Sequence, residues 1–150
     1  MTVSAKVQIK KDAKKAQRQL DVLNKSLQGK QHVVIGLPAN SNNYPDGTSV
    51  IEVGIVHEFG IGKVPQRSFL RATLQIKKRN YKALFKKLSK QMVVGKIDKA
   101  QALGLMGAQF QADIIDRIST GIPPELKIRE GTALIDTGHL RQSITFEVRD

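Results

Sequence analysis

The sequence has no cysteine and no tryptophan, and only five phenylalanines and two tyrosines among 150 residues. Without cysteine there is no disulfide framework and no thiolate metal site. Sparse aromatic residues argue against a single-strand nucleic-acid binder built on stacking side chains. No segment approaches the ~20 apolar residues of a membrane span, and the N-terminal segment lacks the apolar core of a signal peptide. We therefore expect a soluble protein made in the cytoplasm, with residues 1–150 in one domain.

Acidic residues are also scarce. Thirteen Asp and Glu stand against 25 Lys and Arg, which gives a formal net charge of +12 and an isoelectric point near 10.1. Such an excess favours polyanionic partners, namely nucleic acid, an anionic membrane or an acidic protein, and says nothing about the fold.

Hydrophobic periodicity predicts strands at both ends of the chain. Residues 3–10 and 143–150 alternate apolar and polar side chains, and residues 32–38 form a short β-branched run. Turn-forming residues fill positions 39–47 and predict a surface loop. We expect these strands to share a small antiparallel or mixed sheet of three to four strands.

Four helices are predicted between and after these strands. The first covers residues 12–27. The second is capped by Thr48 or Ser49 and runs to about residue 59. Ser68 can cap the third, in which a break near Lys78 is compatible with the pattern, and a long fourth helix runs from residue 96 or 98 to about 120. The fold class expected is therefore α+β, with several helices packed on one small sheet.

Three segments resemble catalytic, metal-binding or phosphate-binding motifs, but none fits its motif completely. Asp136-Thr137-Gly138 resembles an aspartic-protease motif, but it lies near the end of a helix-rich chain, and a turn is the simpler interpretation. His57-Glu58 begins like a zinc-protease helix, yet the second histidine required four residues later is absent. The glycines near residue 60 lack the Gly-Lys-Ser/Thr of a phosphate loop. We expect no catalytic residue, no metal and no cofactor.

The stretch from residue 71 to residue 99 carries ten Lys and Arg against the single acid Asp98. These residues can form solvated helix faces, or a face that meets DNA phosphates or an acidic protein. Binding to DNA would depend steeply on salt and would not read sequence, since no recognition motif accompanies the charge. The candidate contacts are Lys77, Lys78, Arg79, Lys82, Lys86, Lys87 and Lys90.

Two segments carry a family resemblance. They are VGIVHEFGIGKVPQRSFL at residues 53–70 and TALIDTGHLRQSI at residues 132–144. A His-Glu-Phe-Gly, a Pro-x-Arg-Ser-Phe-Leu and a distant Leu-Ile-Asp-Thr-Gly-x-Leu-x-x-Ser-Ile, in this order and across a long helical spacer, resemble the phage virion-morphogenesis family. That family includes Mu-like tail and tail-completion proteins and related neck proteins.

The resemblance implies a non-enzymatic structural subunit of the virion. It implies a homo-oligomeric ring, six- or twelve-fold, that acts as a neck or head–tail connector component, in tail completion, or as a tail terminator. The ring would contact neighbouring neck, connector and tail proteins and surround DNA without reading its sequence, with no membrane partner. After assembly in the host cytoplasm the protein would reside in the virion.

The residues expected to contact other subunits or partners come from the two segments. We expect the Gly60–Pro65 turn to expose Arg67 and to anchor Phe69, and we expect Leu140 to enter the core while Arg141 stays outside. The lysine-rich helices are expected to face outward or toward acidic partners, because a strongly positive bore would hold DNA. A nonspecific DNA-binding accessory protein is the alternative function. The candidate interface residues are Arg67, Phe69, Arg71, His139 and Arg141.

Overall fold

The computed structural model describes residues 2–124 and 138–150. Within these ranges the chain forms six helices and two strands, which confirms the α+β class. The elements in chain order are α1 (Thr2–Leu27), β1 (His32–Gly36), α2 (Val50–Phe59), α3 (Arg71–Ile76), α4 (Lys78–Val93), α5 (Lys99–Thr120), α6 (His139–Gln142) and β2 (Thr145–Arg149).

The strand predicted at residues 3–10 is wrong, because α1 is helical from Thr2 onward. The segment places apolar residues four apart, at Val3 and Val7 and at Ala5 and Ile9, and this spacing fits a helix as well as a strand. In the described ranges the sheet therefore has two strands and not three to four. The apolar residues Ala16 and Leu20, four apart on α1, are exposed, whereas the side chains of Leu23 and Leu27 lie outside the described residues.

The two strands pair antiparallel and turn one face toward α5. Val33 lies opposite Val148, and Ile35 lies opposite Phe146, and these four half-buried side chains alternate with exposed ones. The helix accommodates the Phe146 ring because residue 107 is glycine: a Cβ there would come within 2.6 Å of Phe146 Cγ. Pairing and helix packing thus fix the register of the sheet.

Most helix boundaries lie where the sequence predicts them. The Ser49 side chain accepts a hydrogen bond from the Glu52 amide, and Gly60 ends α2 in the left-handed conformation. Asp98 and Gln101 form a reciprocal capping box at the start of α5. The expected break near Lys78 separates α3 from α4.

The larger core cluster joins segments that are far apart in the sequence. Leu140, expected in the core, and Ile144 are each about 1% exposed and pack with side chains from α2, α5 and the segment before α3. A smaller cluster lies between α4 and α5. Among the helices described, none is both long and apolar enough to cross a membrane. The larger cluster consists of Val50, Phe69, Ile114, Ile118, Ile122, Leu140 and Ile144.

Candidate functional site

The carboxylate of Glu58 organises the first of the two resemblance segments. Glu58 is 4% exposed, near the end of α2, and its side chain reaches the backbone that leads into α3. Oε2 accepts hydrogen bonds from the amides of Phe69 and Leu70, at 2.8 and 2.9 Å. Oε1 accepts from Ser68 Oγ at 2.7 Å and from the amide and Nε of Arg71 at 3.1 and 3.0 Å. One buried carboxylate thus satisfies amides that the first turn of α3 leaves without helical partners.

These hydrogen bonds keep Glu58 ionised. Burial by itself would raise the pKa of the carboxyl group, but the hydrogen bonds from the Leu70 amide, the Ser68 hydroxyl and Arg71 outweigh it and hold the pKa below its usual value. Sequence reasoning considered Glu58 as part of an incomplete zinc motif and of the His-Glu-Phe-Gly in the first resemblance segment, and missed this role. The available signal was a carboxylate in an apolar helix, a short glycine turn, and a serine just ahead of a second helix.

The turn between α2 and α3 folds back onto α2. The Gly60 amide donates to the Val56 carbonyl at 2.8 Å, and a Cβ at Gly60 would lie 2.8 Å from the Gln66 amide nitrogen. Gln66 Nε2 donates to the Glu58 carbonyl at 3.1 Å. Only glycine fits this position, since it both adopts a φ of 72° and leaves room for the returning backbone.

Arg67 is not the exposed contact that the sequence predicts. It is 4% exposed, its amide donates to the His57 carbonyl at 2.7 Å, and its Nε donates to the Pro124 carbonyl at 2.8 Å. The side chain therefore ties the turn to the end of α5. Sequence reasoning treats arginine as a surface residue, and only the tertiary packing shows that Arg67 donates to the Pro124 carbonyl.

His57 is partly buried, and its Nδ1 has no hydrogen-bond partner among the described residues. Burial, and then the nearby positive charge of Arg67, lower the pKa of His57, so the ring is neutral at pH 7. Within the described ranges, no three His, Asp or Glu side chains are grouped so that they could hold a metal ion.

The described part of the second resemblance segment, residues 138–144, meets the first segment in the core. A Cβ at Gly54 would lie 3.6 Å from Leu140 Cδ1 and 3.7 Å from Phe69 Cζ, so α2, the turn and α6 converge at this glycine. Phe69 is fully buried, which confirms its anchoring role but places it inside the chain and not on the predicted contact surface. Asp136 and Thr137, named for the protease motif and its alternative turn, lie outside the described residues.

His139 and Arg141 lie at the edge of this core. Both are half-buried. The His139 ring is 5.2 Å from the Tyr44 ring, centroid to centroid, and Arg141 Nη1 donates to Ser119 Oγ at 3.1 Å. Arg141 is therefore partly engaged within the chain, whereas the sequence predicts it outside.

A patch that we call the Phe59 surface lies beside Glu58 and consists of Ile55, Phe59, Arg71, Leu74 and Val33. Ile55 is 46% exposed, and Phe59 and Leu74 are each 55% exposed. The Arg71 guanidinium lies 4.4 Å above the Phe59 ring while its Nε is bonded to Glu58. Arg71, Leu74 and Val33 also line an apolar groove of about 290 Å³ between β1, α3 and α5, so the patch is continuous.

The lysine-rich stretch forms a second surface, on α4. Lys77 was predicted to belong to this surface but does not, because its Nζ lies 3.3 Å from Asp113 Oδ1. Burial and the same carboxylate raise the pKa of Tyr81. The other candidates form what we call the α4 basic face. All six are exposed, and none has an ion pair within the described ranges. They are Lys78, Arg79, Lys82, Lys86, Lys87 and Lys90.

Comparison with known proteins identified no matching family model, curated protein or solved structure.

Proposed function

We propose that this chain is a structural subunit of a tailed-phage particle that forms a homo-oligomeric ring at the head–tail junction or the tail end. The observation that carries the proposal is the convergence of the two resemblance segments. Although residues 70 and 132 are separated by two long helices, Phe69 and Leu140 share one core, and the unit they form presents the Phe59 surface. Residues 53–70 and 138–144 thus pack together as one platform and not as isolated turns.

The polar groups of this platform support a structural role. The carboxylate of Glu58 accepts hydrogen bonds from backbone and side-chain donors, and Arg67 donates a hydrogen bond to the Pro124 carbonyl, just beyond α5. Groups used in this way hold backbone geometry and are poorly placed to attack or protonate a substrate.

The charge distribution favours self-association through the Phe59 surface. With a net charge of +12, two copies repel wherever their lysines approach each other. Arg71 is the single cation of the Phe59 surface, and Glu58 already balances its charge. A ring contact needs two different patches on each subunit, and we propose His139 and Arg141, two of the predicted interface residues, for the second.

The alternative, nonspecific DNA binding, is favoured by one observation, the six exposed cations of the α4 basic face. It predicts strong binding of duplex DNA that weakens steeply with salt. It gives no role to the Phe59 surface.

The function is tested by imaging negatively stained lysates of the parent phage after deletion of the gene. We expect DNA-filled heads lying apart from finished tails, or overlong tails if the ring terminates the tube, and restoration by the wild-type gene. Intact infectious particles from the deletion would contradict the proposal.

The Phe59 contact is tested with Phe59→Ser, in complementation and by sedimentation of the purified chain over a concentration series. Phe59 is about 55% exposed, so we expect the variant to fold but to assemble at least tenfold more weakly. Leu105→Ser is the control, since Leu105 is 50% exposed but lies on α5, outside the Phe59 surface. Equal assembly of the wild type and both variants would exclude this surface as the ring contact.

A further inference from the structure

The outer side of α4 combines two properties that its charge alone does not explain. A shallow groove of about 590 Å³ follows the C-terminal half of the helix and is floored by Phe85, Val93 and Val94. Phe85 and Val94 are 57% and 55% exposed. Lys86 and Lys90 line the same groove, so an apolar floor is bordered by exposed cations.

The positive charge around the groove is not compensated along the chain. No Asp or Glu occurs between Glu58 and Asp98. The α4 basic face continues the charge from the groove toward the start of the helix, through Lys82 to Lys78. α1, which packs against α4, is itself rich in lysine. A partner that covers the groove must therefore bring negative charge of its own.

We propose that the α4 groove binds an acidic amphipathic helix of a different protein. Phe85, Ser89 and Val93 are spaced four residues apart, so the groove runs along the helix for about 12 Å, two turns of a partner helix. Apolar anchors at spacings of three and four on the partner would cover the floor, and acidic residues beside them would meet Lys86 and Lys90.

Charge and apolarity together select this occupant. A second copy of the chain would bring its own net charge of +12 to a surface that is already positive. Duplex DNA would supply phosphates for the lysines, but its backbone offers little apolar surface to cover Phe85 and Val94. An acidic helix satisfies both parts of the surface. The inference concerns the monomer and does not depend on whether the chain forms rings.

The test measures fluorescence anisotropy of a labelled peptide of about 20 residues, with leucines at three- and four-residue spacing and glutamates elsewhere. A scrambled peptide of the same composition and a duplex DNA are the comparison probes. We expect saturable binding of the amphipathic peptide, and binding at least about tenfold weaker for the scrambled peptide.

Two variants separate the apolar and the charged contributions. Phe85→Ser should weaken peptide binding about tenfold but leave DNA binding unchanged, because it removes apolar contact alone. Lys86→Glu with Lys90→Glu should weaken peptide binding more, most strongly at low salt. Lys11→Glu with Lys15→Glu is the control, since it makes the same change in charge at exposed positions of α1 and should lower peptide affinity by about threefold or less.

The proposal is overturned if the scrambled peptide binds as well as the amphipathic one, or if the two charge-reversal pairs weaken binding equally. It is also overturned if DNA binds tightly while the amphipathic peptide does not, which would favour the alternative of nonspecific DNA binding. Circular dichroism of each variant establishes that it is folded. Loss of ring assembly in Phe59→Ser has no bearing on these outcomes, so failure of the ring and failure of the groove are distinguishable.

Discussion

Two charged regions of this molecule differ in how their charges are used. At the junction of α2 and α3, the buried carboxylate of Glu58 accepts five hydrogen bonds and fixes the path of the backbone. On α4, six cations are exposed and have no ion pair within the described part of the chain. A buried charge must be fully satisfied by its own chain, whereas exposed cations remain available to a partner.

The largest expected effect is that of Glu58→Gln. One carbonyl oxygen cannot replace two carboxylate oxygens: whichever way the amide is oriented, its NH₂ group faces N–H or O–H donors from residues 68–71. We expect a loss of about 3–5 kcal/mol in the free energy of unfolding, measured by urea denaturation.

Glu52→Gln on the same helix is the matched control. Its side chain is exposed, and we expect a change of about 0.5 kcal/mol or less. Similar losses for both variants would show that charge on α2, and not the hydrogen-bond arrangement at Glu58, stabilises this region.

The second prediction contrasts a packed and an open position on α5. Gly107→Ala would drive a methyl group into the Phe146 ring and should cost about 1–3 kcal/mol. Gly104→Ala meets no atom within 4 Å and should stabilise the protein by about 0.5–1 kcal/mol, because alanine favours the helix. Both changes in stability are measured by thermal unfolding, and effects of the same sign would contradict the packing of β2 on α5.

Acid should weaken the region around α2 in two stages. Because the pKa of His57 in the folded protein lies below 6.5, the unfolded chain takes up this proton first, and stability falls as the pH drops below 6.5. Because the pKa of Glu58 is held below 4.5, its contribution is complete above that pH and is lost as the pH falls through the lowered value.

Melting temperatures measured between about pH 7 and pH 3 check this order. His57→Gln should remove the upper stage, and Glu58→Gln the lower one. A single stage near pH 4 that is unchanged in His57→Gln would contradict the role of the histidine.

The smallest expected effect is on α4. Lys82→Glu places a carboxylate one turn from both Lys78 and Lys86, and we expect a gain of about 0.5 kcal/mol or less that disappears at high salt. Lys82→Gln should give a smaller gain, because it only relieves repulsion. A large loss of stability in either variant would show that this face is packed within the chain.

Short-range rules predicted much of the fold. Capping residues and glycines were enough to predict the ends of α2 and, to within about two residues, the start of α5, because a few neighbouring side chains determine where a helix begins or ends. The strand predicted at residues 3–10 was wrong, because apolar residues spaced four apart fit the period of a helix as well as that of a strand. The number of strands failed with it, since pairing depends on segments far apart in the sequence.

The candidate site was predicted less well, for a similar reason. Leu140 was correctly expected in the core, whereas Phe69, expected to be anchored but also named as a partner contact, is fully buried. Arg67 and Lys77 were misplaced and Glu58 was overlooked, because the environment of a charged side chain depends on which partner the fold brings within about 3 Å. No local sequence pattern indicates that the Pro124 carbonyl lies beside Arg67 or that Asp113 lies beside Lys77.

By itself the sequence determined the fold class, several helix ends and the excess of positive charge, because these follow from local propensity and composition. Only the tertiary structure decided which charges are consumed inside the chain and which remain for a partner. Burial and hydrogen bonding depend on contacts between distant segments, so Glu58 and Arg67 became part of the scaffold while Phe59, Phe85 and the cations of α4 remained at the surface.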